Sequence, residues 1–471
     1  MTRFRRKARI VCTIGPACAK EDVLFKMIAR GMDVARLNFS HGDHAFHRKV
    51  VGTLRKGAGK YGRPLSILQD LQGIKIRVGP LRGGSAELRR GKEVRILAGD
   101  GLGDGGHLYV SYPKLLQDAK RGEKVLLDDG FMQLRVTGKT DGSLTARVVE
   151  GGLIRDRKGV NFPGMKLSLE SFTPKDRTDL ELGLRMNVDY IAVSFVRSAA
   201  DITKVKNWMK RRGKTIPVIA KIEKAEALED IDNILDVSDG VMIARGDLGV
   251  EMAPEKVPLI QKGLIAKANG TGKLVITATQ MLESMREHLR PTRAEASDVA
   301  NAVIDGTDAL MLSAETAIGR YPLEAIAMMD KIIRHTEQWQ EPAVSHIRGT
   351  SDAGALADAA CRAAEDIGAS VLAVYTRSGF TARLLSKFRP KAPIVAYTPD
   401  RRVLTGLPLY WGVIPKYMRS PATTDELCKR VEKMLTAEKI VRPNDRIVII
   451  ASSPFSTASR TNFMKIHRIG E

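Results

Sequence analysis

The sequence predicts an α/β protein: a (β/α)8 TIM-type barrel with an inserted all-β lid domain and a C-terminal α/β domain. Three observations predict it. Eight short apolar runs recur along the first two-thirds of the chain, and amphipathic helical segments separate most of them, which suits a closed parallel barrel better than an open sheet. After the third run, about 100 residues of short strand-like pieces and Gly-rich turns break the rhythm once. Beyond Glu341 a second alternation of strands and helices begins. The expected boundaries are 1–73 with 160–341 for the barrel, 74–159 for the lid and 342–471 for the C-terminal domain.

The eight runs are RIVCTIG from Arg9, DVARLNFS from Asp33, LSILQDL from Leu65, DYIAVSF from Asp189, PVIAKIE from Pro217, GVMIARGD from Gly240, KLVITATQ from Lys273 and ALMLSAE from Ala309. They are apolar throughout rather than alternating, as strands covered on both faces must be. The first follows a basic N-terminus that superficially mimics a signal peptide. Its apolar stretch is short and broken by Gly15-Pro16, so it reads as a strand. After the insertion, a helix is expected from Thr173, with Pro174 at its first position and Asp176 in its first turn. Within the insertion, EVRILAG, KVLLDD, MQLRVTG and LTARVVE read as strands of a lid on the catalytic face. In the C-terminal part, an Ala-rich helix from Ala355 to Ile367 precedes the strands SVLAVYT, PIVAYT, GVIPKY and RIVIIAS.

Polar residues stand at the end of every barrel run: Thr13, Asn38 and Ser40, Asp70, Ser194, Lys221 and Glu223, Asp247, Thr279 and Gln280, Ser313 and Glu315. Parallel strands bring these ends to one face, where barrel enzymes hold their active sites. The window Pro217–Glu251 is the densest part. Lys221 and Glu223 share one face of a strand by the period of two, and the following helix and strand return the chain so that Asp247 meets them. Two carboxylates and one ammonium at a strand edge suit a divalent cation and an anionic substrate.

Composition sets outer limits. With 471 residues, 43% hydrophobic and 28% charged, the chain can bury a large core. The net charge of +22 is unusual and admits nucleic acid, an anionic surface or small anionic substrates. The basic residues are dispersed and aromatic residues make up only 5%, so a dedicated nucleic-acid binder is disfavoured. The four cysteines, Cys12, Cys18, Cys361 and Cys428, form no C-x-x-C pair, which argues against a zinc site and for a reducing, cytoplasmic setting. No run approaches 18 apolar residues, so no membrane span is expected.

Several long motifs occur together and in order: VCTIGPA, DVARLNFSHG, DLQGIKIRVG, LLDDG, DRKGVNFPG, IAKIEKAEAL, VMIARGDLGVE and the stretch ATQMLESMREHLRPTRAEASDVANAVIDGTDALMLSAETAIGRYP from Ala278 to Pro322. On these residues the chain resembles the pyruvate kinase family over essentially its whole length. The resemblance implies phosphoryl transfer from phosphoenolpyruvate to ADP, giving pyruvate and ATP, in a cytoplasmic homotetramer. It implies Mg²⁺, with Mn²⁺ possible in its place, on Glu223 and Asp247. Lys221 and Arg36 would neutralise and grip the phosphoryl group, while Gly246, Asp247 and Thr279 would hold the substrate carboxylate. The enolate's proton would come from Thr279 or from ordered water beside it. Arg77, Lys158, His41 and Asn38 would face the nucleotide phosphates, and Asp128 would approach the metal from the lid.

Asn38, Ser40, Asp70 and the carbonyl of Leu71 match the family's K⁺ site, and here the chain departs. Lys75 stands where many members carry Glu, so its ammonium is expected to make K⁺ dispensable. Ile74 stands where proline is usual, which removes a fixed φ from the lid hinge. Thr376, Ser378, Gly379 and Thr381 form a turn that matches the region where members bind phosphorylated effectors. The turn Ser452–Asn462 matches a second such region. Sugar monophosphates, a sugar bisphosphate, AMP and no effector all stay open. Two rival readings are another metal-dependent barrel acting on phosphoenolpyruvate or a 2-oxo acid through an enolate, and a basic nucleic-acid-binding protein.

Overall fold

All eight apolar runs become strands in the computed structural model, which describes residues 6–140, 142–165, 167–339, 351–452, 455 and 461–471. They are β1 (Arg9–Ile14), β2 (Val34–Asn38), β3 (Ser66–Asp70), β4 (Tyr190–Val193), β5 (Val218–Ile222), β6 (Gly240–Ala244), β7 (Leu274–Ala278) and β8 (Ala309–Leu312). They close a barrel in the order β1-β8-β7-β6-β5-β4-β3-β2, parallel throughout. Every residue of β3, β5, β6 and β7 is buried, which is why these runs carry no alternation.

One run ends earlier than the sequence suggests. GVMIARGD is a strand only to Ala244, and Arg245–Glu251 is a helix. The ladder stops where Ala244 faces Ala278, the last residue of β7, leaving nothing further to pair with. Asp247 therefore lies in the first turn of a helix rather than on a strand end.

The chain leaves the barrel after β3 and returns at the helix Pro174–Met186. A capping box opens that helix, with the Asp176 backbone N–H donating to Thr173 Oγ1 (3.1 Å) and the Thr173 N–H to the Asp176 carboxylate (2.9 Å). Asp176 also accepts from the backbone N–H of Gly73 (3.0 Å), so the segments leaving and re-entering the barrel share one carboxylate. Gly73 has φ 65°, a conformation that favours glycine.

The inserted segment forms a six-stranded sheet in the order Val160–Asn161, Lys124–Leu127, Met132–Thr140, Ser143–Glu150, Glu93–Ala98 and His107–Val110, plus the pair Ser85–Leu88 and Gly152–Arg155. Its core is independent of the barrel's and is built on Val94, Ile96, Leu108, Val125, Leu134 and Ala146. Ile74 packs against this core from the hinge.

The C-terminal sheet runs Val413–Tyr417, Ile394–Thr398, Val371–Tyr375, Arg446–Ala451 and Phe463–Arg468. The last strand is antiparallel and has no apolar run to announce it (FMKIHR). Two devices fix this part to the barrel's N-terminal face. Buried Asp308 pairs with Lys387 (2.5 Å) and Arg389 (2.8 Å), both also buried. The helix Arg401–Gly406 grips two barrel strands at their base. Its Thr405 hydroxyl donates to Asp189 (2.5 Å), its Thr405 carbonyl accepts from the Ser66 hydroxyl (2.6 Å), and its Gly406 carbonyl accepts from the Tyr190 phenol (2.5 Å).

Candidate active site

At the C-terminal ends of the strands, one buried carboxylate organises two cations. Asp70, the last residue of β3, takes Arg36 of β2 on Oδ2 (2.7 Å) and faces Lys221 of β5 through Oδ1 (3.3 Å). Arg36 also donates to Thr13 Oγ1 of β1 (2.9 Å), and the Lys221 ammonium donates to Ser194 Oγ just beyond β4 (2.7 Å). Four of the polar strand-end residues, Thr13, Asp70, Ser194 and Lys221, thus form one network with Arg36. The carboxylate of Asp70 is buried, which alone would raise its pKa. Lys221 and Arg36 outweigh that and hold it below the usual range. Burial alone would lower the Lys221 ammonium, but Asp70 and Glu223 push it up to about 12, so it stays charged.

Glu223 follows β5 directly. Its Oε2 accepts from the Phe195 backbone N–H (2.6 Å). Its Oε1 lies 2.8 Å from Lys221 Nζ yet receives no hydrogen bond of sound geometry, leaving a buried oxygen with an open lone pair. Burial and the charge of Asp247 raise this carboxyl's pKa, against the pull of Lys221. An orphaned carboxylate oxygen close to a second carboxylate fits a small, hard divalent cation that keeps other positions for water and substrate. Among the described residues no group of three His, Cys, Asp or Glu side chains gathers, so the fit is to an ion that needs few protein ligands.

Beyond β6 and β7 the backbone itself is shaped. The Gly246 N–H donates to Thr279 Oγ1 (2.7 Å), and that hydroxyl donates to the Ala278 carbonyl (2.6 Å). Thr279 has φ 68°, an unfavourable conformation for a β-branched residue, and Gln280 follows with φ 54°. Arg245 braces this turn through the Thr279 carbonyl (2.7 Å) and Asp298 (2.6 Å). Nothing in the residue pattern around Arg245 signals that bracing role. Glu315, expected among the converging ends, is instead spent on the backbone N–H groups of Ser313 (2.6 Å) and Leu282 (3.0 Å).

Facing this wall across a cavity of about 90 Å³ are Lys75 and Asp129 of the inserted segment, with Asp247, Lys224 and Phe195 on the barrel side. Lys75 is lowered by burial and by Arg77, and Asp247 partly restores it. His41 is lowered by burial and then by the positive charges of Lys75, Arg77 and Arg36 near it. Arg77 donates to the Arg157 carbonyl (2.7 Å), and Lys158 pairs with Asp128 (2.8 Å). Asn38 Oδ1 accepts from the Ser40 N–H (3.1 Å), and the Leu71 carbonyl accepts from Ser194 (2.7 Å). Two links join the inserted sheet to the helix Arg245–Glu251. Asn161 donates to Glu251 (3.2 Å), which also pairs with Lys224, and Gly130 sits over Val250.

The C-terminal turn at 376–381 lies within the described residues. Gly379 has φ 78°, and its N–H donates to Thr376 Oγ1 (3.0 Å). The Thr381 hydroxyl meets that of Thr461 (2.6 Å). Most of the other hydroxyl-rich turn, Ser452–Asn462, lies outside the described residues.

Two cations fixed by one carboxylate, beside a second carboxylate with a free oxygen, suit a phosphoryl group in transit, and the fold and site define a phosphotransferase. A family model described as pyruvate kinase, barrel domain, matches residues 5–326, and one described as pyruvate kinase, alpha/beta domain, matches residues 354–467. The pyruvate kinase of Geobacillus stearothermophilus is 43% identical over 476 aligned positions, covering 99% of this chain and 81% of that protein. That of Mycobacterium tuberculosis is 42% identical over 468, covering 99% of each. A crystal structure of a pyruvate kinase from Cryptosporidium parvum superposes with a TM-score of 0.92 at 36% identity, over 99% of this chain and 96% of that one. The chain belongs to the pyruvate kinase family. Its reaction moves the phosphoryl group of phosphoenolpyruvate to ADP, yielding pyruvate and ATP in glycolysis.

Proposed function

We propose that this reaction takes place around Asp70, with Lys221 neutralising the charge on the phosphoryl group as it transfers. The observation behind this is the Lys221 ammonium, buried and held charged between Asp70 and Glu223. A fixed positive charge in a water-poor site stabilises equatorial phosphoryl oxygens without reorganising during transfer. Arg36, anchored by Asp70 and Thr13, grips the same phosphate from the β2 side. The substrate carboxylate lies against the N–H groups of Gly246 and Asp247, and the Thr279 hydroxyl yields the Gly246 N–H to it. The enolate then takes its proton from the Thr279 side, through that hydroxyl or a water it holds.

Glu223 and Asp247 hold Mg²⁺, or Mn²⁺ in its place, which when bound polarises the substrate oxygens as a Lewis acid. Arg77, Lys158, His41 and Asn38 receive the ADP phosphates, with Lys158 delivered by the lid, whose Asp128 now occupies it. Lys75 supplies the positive charge that K⁺ gives to other members. Supporting this, the K⁺-site groups of Asp70 and Leu71 already serve internal donors. The barrel at 1–73 and 160–341, except the strand Val160–Asn161 that pairs within the lid sheet, the lid at 74–159 and the C-terminal domain at 342–471 act as the catalytic, gating and effector-binding parts. Thr376, Ser378, Gly379 and Thr381 receive an effector phosphate. The working form is a cytoplasmic homotetramer. No helix among the described residues is long and apolar enough to cross a membrane.

The test is pyruvate formation from phosphoenolpyruvate, ADP and Mg²⁺ in K⁺-free buffer, for wild type and Lys221→Ala, with an ADP-free control. Robust wild-type turnover that needs ADP and collapses in the variant supports the reading. Turnover unaffected by the substitution would remove Lys221 from the chemistry.

A further inference from the structure

Three of the chain's eight histidines fall at 41, 44 and 47, between β2 and the first turn of the helix His44–Lys60. A spacing of three invites a metal, yet the three side chains point to different partners. His44 Nε2 donates to Asp179 (2.7 Å), and His41 is exposed. Among the described residues no three His, Cys, Asp or Glu side chains gather. His47 goes inward. It is 2% exposed, and its ring stacks on Phe39 with 4.0 Å between centroids and 10° between planes.

The nitrogens of that ring show why the position is not a second phenylalanine. His47 Nε2 lies 3.0 Å from the His41 carbonyl oxygen. A carbonyl only accepts, so the ring carries its proton on Nε2. Nδ1 is then a bare lone pair, buried without a partner. Burial lowers the imidazole's pKa, against the pull of the His41 carbonyl and Asp179, and the ring is neutral at pH 7 and above. Burying an imidazole with one nitrogen unsatisfied is less favourable than burying a phenyl ring of the same stack. What the imidazole adds is the N–H on His41.

That N–H closes a short loop. β2 ends at Asn38, and the helix begins after Asp43. Phe39 is held on both sides, its N–H donating to the Asp70 carbonyl (3.0 Å) and its carbonyl accepting from Lys175 Nζ (2.8 Å). The His41 N–H donates to the Asn38 carbonyl (3.2 Å), and His47 takes the His41 carbonyl. Gly42 follows with φ 74°. A Cβ there would stand 3.1 Å from the Phe46 ring and 3.4 Å from His47 Nε2, so the chain turns tightly over the imidazole.

We propose that His47 is a positioning residue for the nucleotide side of the reaction, its Nε2–H fixing the loop 38–41 in the arc that presents Asn38 and His41 to the ADP phosphates. The phosphoenolpyruvate side has its own supports, with Arg36 held by Asp70 and Thr13, so loss of the His47 donor acts on one substrate. The contact of His41 with ADP rests on the reading given above, whereas the hold of His47 on the loop does not.

The experiment is steady-state kinetics on the full-length protein, with ADP and phosphoenolpyruvate varied separately and thermal melts alongside. His47→Phe keeps the stack and removes the donor. His47→Gln keeps a donor near the Nε2 position, and His41→Ala removes the side chain that the loop presents. His47→Phe is expected to raise the KM for ADP roughly fivefold to tenfold, the scale of one hydrogen bond. Its kcat and its KM for phosphoenolpyruvate should stay within about twofold of wild type. His47→Gln should bring the KM for ADP back towards the wild-type value. An unchanged KM for ADP in His47→Phe overturns the proposal. An equal rise in both His47 variants also overturns it, because the ring and not the donor would then be the cause. A parallel rise in both KM values does the same, as the mark of general loosening. His41→Ala separates the two readings. If it leaves the KM for ADP unchanged while His47→Phe raises it, the assignment of His41 falls and the positioning role stands on Asn38. If His41→Ala raises it and His47→Phe does not, the positioning role alone falls. If His47→Phe does not fold, His47→Asn, whose amide is too short to reach His41, is measured in its place.

Discussion

Asp70 Oδ2 lies 2.7 Å from the Arg36 guanidinium, while the carboxylate's other oxygen faces Lys221 at 3.3 Å. One buried anion therefore sets the spacing of two cations on different strands. Asp70→Asn keeps the shape and removes the charge. Its kcat/KM for phosphoenolpyruvate should fall about 10²–10³-fold, the scale of one lost preorganised electrostatic contact, as steady-state kinetics will show.

The pH behaviour of this pair follows from its two shifts. Asp70 is depressed in the folded protein, so its stabilisation is present above 3.8, its ordinary value, and fades as pH falls through the lower folded one. Lys221 is raised, so its share is complete below 10.5 and fades as pH rises through about 12. Urea unfolding of wild type and Asp70→Asn should therefore differ by a constant amount between pH 5 and pH 9. A gap that varied strongly across that window would contradict the assigned charges.

Lys75 shares the lid-side cavity with Asp247. Wild-type activity in a buffer free of K⁺ should come within about twofold of that with K⁺ added, since a fixed charge at the cavity needs no mobile counterpart. Lys75→Glu should reverse this and create a K⁺ requirement, measured by titrating KCl into a tetramethylammonium buffer.

A Cβ added to Gly246 would stand 3.6 Å from Thr279 Cβ and Oγ1, an ordinary contact, and Gly246 is not among the residues with positive φ. Gly246→Ala should thus fold normally, with Tm within about 2 °C of wild type, because no strain or clash is introduced. The methyl group fills the approach to the backbone N–H groups, so the KM for phosphoenolpyruvate should rise at least about tenfold. A large drop in Tm would recast the glycine as structural.

Asp308 neutralises Lys387 and Arg389 in the dry contact between barrel and C-terminal domain. Asp308→Asn leaves both cations buried and should cost about 3–5 kcal/mol in urea unfolding. Lys387→Met should cost much less, because Arg389 still satisfies the carboxylate. Burial and Arg389 lower the Lys387 ammonium to about 8, against the pull of Asp308. The unfolded chain then holds more protons between pH 8 and 10.5, so this group makes stability rise with pH across that window. Lys387→Met should abolish that rise.

The barrel was legible because buried parallel strands leave uninterrupted apolar runs, and Lys221 with Glu223 was legible because strand period alone puts them together. The capping box at Thr173 and Asp176 needed only local pattern. By contrast, the ending of β6 at Ala244 depends on where the neighbouring strand β7 stops, which no window around Arg245 contains. Phe463–Arg468 was missed because an edge strand with exposed Lys465 and Arg468 lacks an apolar signature. Likewise, Glu315 as a brace and Asp308 as a clasp are long-range pairings. Leu282 stands 33 residues from Glu315, and Lys387 and Arg389 stand about 80 from Asp308, so only the closed fold reveals these roles.

The clasp at Asp308 also bears on how the two folds can be rearranged. A barrel expressed without its C-terminal partner would expose a carboxylate at the base of β8 that keeps one backbone donor, Val275, and loses both guanidinium and ammonium. The freed C-terminal part would carry the two unmatched cations at one end of a helix. Neither half is then a portable module. Chimeras that graft a foreign regulatory domain onto this barrel must import a matched cation pair with it, so the junction is inherited as a lock and its key together.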